Sequence, residues 1–425
     1  MTSEFPPYQF GGLGTALDGW ARASVRAGVP TGVLLVEGSG VWSWQDLLDG
    51  SNTQEMGVTG LPYGVGLPYG VGNHRSEPTH DGPTRKVRPR SATPLGGATF
   101  FRRAAPAGLS AHGVRWGERL DRAVRAAIRW RPSVVHLHSP WLWPVARAMR
   151  EAAGAPVVYT VHSLDRAELE LGGEPASWRF HGPVQEEAIR GSDLIVCISR
   201  SEAGLVRRYY PAWENRVRVV PHGIDPGPWG SCGRSVRRRS ESPLVLFVGR
   251  LDRRKGIHDL LASWEAVSDR FPSARLAIVG DDHTGAPTCL AARWLAPSTA
   301  VGSIHFCGWA GRNELARWYR RADILVVPSR YEPFGMVVLE GMLHGLAVVA
   351  SATGGPSEIL VDGETSILFP PGDAEALTLA LLELLDDPEL RARLGAAAAK
   401  HARLHWGWSG RLEQMGRVYE EARSA

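Results

Sequence analysis

The sequence predicts an α/β protein of two Rossmann-like, doubly wound domains, each a parallel sheet with helices on both faces. Three observations carry that expectation. From residue 132 onward, short β-branched runs alternate with longer helical stretches, the rhythm of strand, crossover helix and parallel strand. That rhythm breaks once, at DPGPWGSCGRSVRRRSES, which is rich in Gly, Pro, Ser and Arg, and then resumes. The length, 425 residues, is that of two to three domains at about 150 residues each. The expected division is an N-terminal domain over 1–224, a linker over 225–242, a C-terminal domain over 243–405 and a terminal segment over 406–425.

The first 130 residues hold GGLG, then a helical TALDGWARASVRAG and a strand TGVLLVEG. LPYGVG is repeated in tandem over 61–72, and polar, Pro- and Gly-rich sequence follows, so a mobile loop is expected over about 61–99. Two copies are too few for a solenoid, and duplication within a loop explains them. Next come SVVHLHS, WPVARAMREAAGA, PVVYTVHS, PVQEEAIRGS and DLIVCIS, which read as strand, helix, strand, helix, strand. Beyond the linker, strands are expected at SPLVLFVGR, ARLAIVGD, HFCGW, DILVVPS and AVVAS. Helices are expected over 256–270, at NELARWYRRA and around MVVLEGMLHG. Ligands of such sheets bind in the crevice at the strand C-termini.

Composition narrows the function. Lys and Arg number 48 against 44 Asp and Glu, a net charge of +4 spread along the chain, which makes no basic domain for nucleic acid. Only Lys86, Lys255 and Lys400 are lysines; in so arginine-rich a chain, a lysine within a motif is informative because the two cations are not equivalent. No apolar run reaches the length of a membrane span, and MTSEFPPYQFGG lacks the regions of a signal peptide. A cytoplasmic protein is expected. The four cysteines form no CxxC pair, so neither a disulfide framework nor a zinc site is implied.

Three segments carry chemistry. In FVGRLDRRKG a strand ends in glycine and presents Arg250 and Lys255, two cations able to converge on a diphosphate at the crevice mouth. In SRYEPFGMVVLEGMLHG, Glu332 and Glu340 bracket a helix start; Phe334, Gly335, Met336 and Val337 lie in its first turn, where free N–H groups favour an anion. Glu340 shares a helix face with Met336 and is positioned to reach a ribose hydroxyl. In SATGGPSEI, two glycines, Ser357 and Glu358 follow another strand and line the same crevice.

In this order and spacing the segments resemble the retaining GT-B glycosyltransferases of glycosyltransferase family 4, the group of glycogen and sucrose synthases. The likeness includes GGLG, VVHLHS, VVYTVHS, SDLIVCIS, VRVVPHGID, FVGRLDRRKG, ADILVVPSRYEPFGMVVLEGMLHG, VVASATGGPSEIL and VDGETSILFPPGD, and covers the chain except roughly 40–110. It implies retaining transfer of a sugar from a nucleotide diphosphate sugar to a small-molecule or oligosaccharide acceptor. By the same resemblance Arg250 and Lys255 clamp the diphosphate, Glu332 holds donor-sugar hydroxyls, and the backbone of Phe334 to Val337 binds sugar and phosphate. Glu340 binds ribose, and Gly11, Gly12 and Leu13 form the N-terminal loop that approaches the phosphates. His162 matches the histidine beside the reacting sugar, while His138, Trp141 and Asp165 are candidates on the acceptor side. The tail HWGWSGRLEQMGRVYEEARSA resembles the last helix of that fold, which crosses back to the N-terminal domain.

The sequence contains no D-x-D motif, so turnover without a metal or other cofactor is expected, with cations and the helix N-terminus neutralising the leaving group. The usual lysine before the glycine pair is replaced by Tyr8, Gln9 and Phe10. Arginine in place of nearly all lysine, with abundant Ala and Gly, reads as the codon bias of a GC-rich genome and suits an actinobacterial enzyme of specialised metabolism. Two other functions compete: coupling of a nucleotide-activated cyclitol without a true sugar donor, and a silent relative that binds nucleotide sugars, against which the complete Arg250, Lys255, Glu332 and Glu340 set argues.

Overall fold

Two all-parallel sheets organise the chain. The computed structural model describes residues 12–28, 31–35, 98–102, 109–110, 113–114, 128–129, 131–171, 175–225, 242–280 and 299–425. Gly11, most of the loop expected over 61–99 and linker residues 226–241 lie outside them. The N-terminal part begins with helix α1 (Gly12–Arg26), and β1 (Thr31–Leu35) pairs in parallel with β2 (Ala98–Arg102). A short antiparallel pair, β3 (Leu109–Ser110) and β4 (Gly113–Val114), follows.

The first sheet contains β5 (Val135–Leu137), β6 (Val157–Val161), β7 (Leu194–Cys197) and β8 (Val217–Val219), hydrogen-bonded in that order and all parallel. Its crossovers are α2 (Trp143–Ala153), α3 (Asp165–Glu170) with α4 (Pro175–Gly191), and α5 (Arg200–Tyr209). Every residue of β6 and β7 is buried, which is why these strands read as unbroken apolar runs rather than alternating ones.

The second sheet contains β9 (Leu244–Val248), β10 (Arg275–Val279), β11 (Ile304–Gly308), β12 (Ile324–Val327), β13 (Ala347–Ser351) and β14 (Ser366–Phe369). Its spatial order is β11-β10-β9-β12-β13-β14, the 3-2-1-4-5-6 order of a dinucleotide-binding sheet, whose order reverses between β9 and β12. The helices here are α6 (Ile257–Arg270), α7 (Arg312–Arg321), α8 (Met336–Leu343), α9 (Pro356–Ile359), α10 (Ala374–Asp386), α11 (Pro388–His405) and α12 (Ser409–Ser424). The strands β8 and β14 were not expected from sequence; both are edge strands of three or four residues.

The tail returns to the first sheet. Met415, Val418 and Ala422 of α12 are buried with Val158, Leu194, Val196 and Val220, and Arg218 on β8 donates to Glu421 at 2.9 Å. Burying a Met, Val or Leu side chain in this way contributes roughly 1.5–3 kcal/mol. α12 also touches α1, which in turn touches α8. Helices α1 and α12 therefore meet beside the crevice. Among the described residues, no helix is long and apolar enough to cross a membrane.

Candidate active site

The loops that follow β9 and β12 leave adjacent strands at the reversal of strand order, so they face each other across the crevice by construction. After β9, Asp252 caps a short 3-10 turn by accepting the Lys255 N–H at 2.9 Å, and Arg250 pairs with the same carboxylate at 3.1 Å. Gly256 closes the turn at φ +69°, where a Cβ would lie 1.8 Å from the Pro328 carbonyl oxygen. Only glycine fits so close to the neighbouring strand end. The Lys255 ammonium reaches over to Glu332, Nζ to Oε2 2.6 Å, and Ser329 donates to the same carboxylate oxygen at 3.3 Å. Glu332 is 7% exposed, so this is a largely desolvated, charge-assisted pair.

The loop after β13 completes the floor. Gly355 donates its N–H to the Glu332 carbonyl at 2.9 Å, and a Cβ on Gly354 or Gly355 would meet the backbone oxygen of Glu332 or Phe334 at 2.0 Å. Gly335, at φ +97°, is the N-cap of α8. The N–H groups of Met336 and Val337 thus head a helix, where they have no intrahelical acceptor and the dipole favours negative charge. Glu332, Lys255, Arg250 and the α8 N-terminus are assembled on one floor.

Glu340 is bonded elsewhere. It is 4% exposed, and one carboxylate oxygen accepts from the Tyr319 hydroxyl on α7 at 2.7 Å. Burial pushes its pKa up to about 7 against the lowering effects of Tyr319 and Arg312. That bond joins its side chain to α7, not to the Lys255–Glu332 pair. Gly12 and Leu13 begin α1, and Ala16, one turn on, is buried in the apolar cluster that holds Phe334 and Met336. The start of α1 is thereby brought near the start of α8.

On the other wall, His162 follows β6 and lies between two further histidines: its Nε2 is 3.0 Å from His138 Nδ1, and its Nδ1 is 3.2 Å from His222 Nε2. The His222 ring meets Phe334 edge to face at 5.1 Å. Burial lowers the pKa of His138 and His162 well below the usual imidazole range and brings His222 down to about 4. All three rings are neutral at pH 7. Trp141 packs on the apolar core of the first domain. Asp165 starts α3 and is pushed up to about 7 by burial and then by Glu168; its Oδ2 is buried without a hydrogen-bond partner among the described residues. His138 therefore flanks His162 from inside the first domain, whereas Asp165, whose N–H donates to Gln185 at 2.8 Å, lies beside Glu168 and Glu202.

Residues adjacent to Lys255 and Glu332 tie the two domains together. Arg254, beside Lys255, is paired with Glu168 of α3. Tyr331, beside Glu332, accepts the Leu164 N–H at 3.0 Å and donates to the carboxyl of Glu202 on α5 at 2.9 Å. Glu358 accepts the N–H groups of Arg200 and Ser201 at 3.0 and 2.8 Å, while Ser199 Oγ accepts that of Glu202 at 3.0 Å. The first turn of α5 is thus capped partly from the other domain. Arg330, on the same loop as Tyr331, is held by Asp259 through bonds of 2.9 and 2.8 Å.

Comparison with known proteins agrees with this architecture. The family described as "Glycosyl transferases group 1" matches residues 234–401, and "Glycosyltransferase Family 4" matches residues 78–227. A glycogen synthase from Mycobacterium tuberculosis (strain CDC 1551 / Oshkosh) is 29% identical over 298 residues, 69% of this chain and 70% of that protein. A D-inositol 3-phosphate glycosyltransferase from Xylanimonas cellulosilytica is 34% identical over 318 residues, 68% of this chain and 72% of that one. Among solved structures, sucrose-phosphate synthase from Thermosynechococcus elongatus aligns with a TM-score of 0.60 at 27% identity, over 72% of this chain and 79% of its own.

Proposed function

The chain belongs to the group 1 glycosyltransferases of GT-B architecture, with a family 4 N-terminal domain, and from that premise we propose that it transfers a sugar from a nucleotide diphosphate donor to a saccharide or polyol hydroxyl, with retention of configuration and without a metal. The observation that supports this most is the Lys255–Glu332 contact of 2.6 Å beside the α8 N-terminus, at the reversal of strand order. A cation, a sugar-binding carboxylate and free amide protons there suit a glycosyl diphosphate. The acceptor class follows the names of the relatives, which act on glycogen and on inositol phosphate.

In this reading the anomeric carbon–oxygen bond to the diphosphate breaks while the acceptor oxygen attacks the same face of the sugar. The acceptor's proton passes to the departing phosphate oxygen. Arg250, Lys255 and the α8 amides stabilise charge as it develops on the diphosphate, which is where preorganised donors contribute most. Glu332 orients sugar hydroxyls, and His162 stands beside the reacting sugar. Glu340, held by Tyr319, is assigned to the ribose.

The test is turnover with UDP-, ADP-, GDP- and TDP-sugars and a panel of glucans, cyclitols and cyclitol phosphates, with products identified by proton NMR. Release of nucleoside diphosphate, a product of unchanged anomeric configuration and full activity in chelator are expected. An inverted product, or activity abolished by chelator and restored by Mg²⁺, would overturn the mechanism.

A further inference from the structure

Outside the diphosphate site, a connected run of imidazoles stands at the domain interface among the described residues. It begins at the tail helix: Tyr419 Oη lies 2.7 Å from His136 Nδ1, and His136 Nε2 lies 2.6 Å from Thr160 Oγ1. The His136 and His138 ring centroids are 3.9 Å apart. From there, hydrogen bonds run His138 to His162 to His222, and His222 leans on Phe334 at the head of the α8 segment.

A neutral imidazole has one N–H and one lone pair. His162 spends one on His138 and the other on His222, whichever way the protons lie. If His138 Nδ1 donates to His162 Nε2, then His162 Nδ1 must donate to His222 Nε2; the only other arrangement reverses both bonds. One tautomer choice is therefore shared by three rings. The contacts use opposite nitrogens of His162, so the three do not converge on a point, and among the described residues no group of His, Cys, Asp and Glu is arranged to hold a metal ion.

We propose that His138 and His222 are positioning residues for His162: by engaging both nitrogens they fix its orientation and tautomer, so that it meets the donor sugar with ring carbons and backbone rather than with a nitrogen. The proposal rests on the transferase reading for its catalytic consequence. Its structural core, a single shared tautomer, does not. His222 is the informative member because it links His162 to Phe334, and hence the acceptor-domain wall to the donor-domain loop.

Two arms test this on the full-length chain. In histidine-selective ¹⁵N-labelled protein at pH 7, long-range ¹H–¹⁵N spectra should show His162 with one protonated and one bare nitrogen, and its resonances should shift on either His138→Asn or His222→Gln. In kinetics, His222→Ala should lower kcat about tenfold, the worth of one neutral hydrogen bond, with donor KM within about twofold. His222→Gln, whose amide occupies the place of Nε2, should restore most of the loss, and His138→Asn should likewise outperform His138→Ala. Averaged tautomers or an imidazolium at His162 in the wild type would overturn the proposal, as would equal kcat for His222→Ala and His222→Gln. The spectra need no turnover, so a wild type that transfers no sugar would remove the transferase reading alone.

Discussion

Just past the end of β6, at His162, the seam between the domains is lined by imidazole rings, and three to six residues further along, at Asp165 and Glu168, it is lined by carboxyl groups. The contrast is one of desolvation. His138, His162 and His222 give up their charge at little cost near neutral pH, because an exposed imidazole titrates near 6.5, and they satisfy one another. Asp165 and Glu202 must be brought in against a reference near 4, and buried carboxyl groups need polar or charged partners. Arg254 supplies a counter-charge for Glu168, and the Tyr331 hydroxyl bonds Glu202. Burial raises Glu202 to about 8, with Tyr331 and the Leu164 amide pulling the other way. Both helpers come from loops of the second domain, one residue before Lys255 and Glu332, so the acid-lined side ties the first domain to the loops that carry those two residues, and the imidazole side does not depend on a charge.

The sharpest way to break this contrast is Arg254→Ala. It leaves Glu168 without its cation beside Asp165 and Glu202, and breaking such a largely buried pair costs about 3 kcal/mol. A melting temperature lower by roughly 5 °C or more is expected; an unchanged one would mean that the acid-lined side carries no load.

Glu202→Gln sharpens the contrast through pH. A carboxyl with folded pKa near 8 and unfolded pKa near 4.5 binds more protons when folded, so wild-type stability falls as pH rises between those values. Glutamine has no such penalty. Relative to wild type, Glu202→Gln should gain about 2 kcal/mol between pH 6 and pH 9, and a constant offset at the two pH values would contradict the assignment.

The imidazole side has the opposite sign and a smaller effect. His222, with a folded pKa near 4, binds fewer protons than the unfolded chain below 6.5, so its contribution is fully present at pH 7 and erodes as pH falls toward 4. Relative to His222→Gln, wild type should lose about 1.5 kcal/mol between pH 7 and pH 5. Chemical denaturation at the two pH values measures it, and parallel behaviour would remove His222 from the neutral relay.

What the sequence disclosed follows the range of each interaction. The interior strands of the second sheet, β12 and β13 above all, announce themselves as apolar runs because both faces are buried; Val326 and Val349 are 1% and 0% exposed. The local geometry of Arg250 to Gly256 and of Glu332 to Val337 was legible because both are contiguous motifs, fixed by Asp252 and by the positive φ of Gly256 and Gly335. The seams were not legible. Tyr331 and Glu202 are 129 residues apart, and no spacing within either segment encodes the other. His138 and His162 were each singled out, but their bond depends on the β5–β6 register, which pairs Leu137 with Tyr159, and His222 drew no attention within VRVVPHGID. Glu340 was expected to face the ribose; its bond to Tyr319 comes from the packing of α7 against α8, which helix periodicity on α8 alone does not reveal.

The central claim is that Arg250, Lys255 and the first turn of α8 receive the diphosphate of the donor. Titration calorimetry with UDP, ADP, GDP and TDP would identify the nucleotide this chain prefers, and the same titration on Lys255→Ala tests the claim most directly. Loss of one charge-assisted contact predicts affinity weaker by about 10- to 150-fold, the equivalent of roughly 1.5–3 kcal/mol. Undiminished affinity in that variant would place the diphosphate elsewhere and contradict the account.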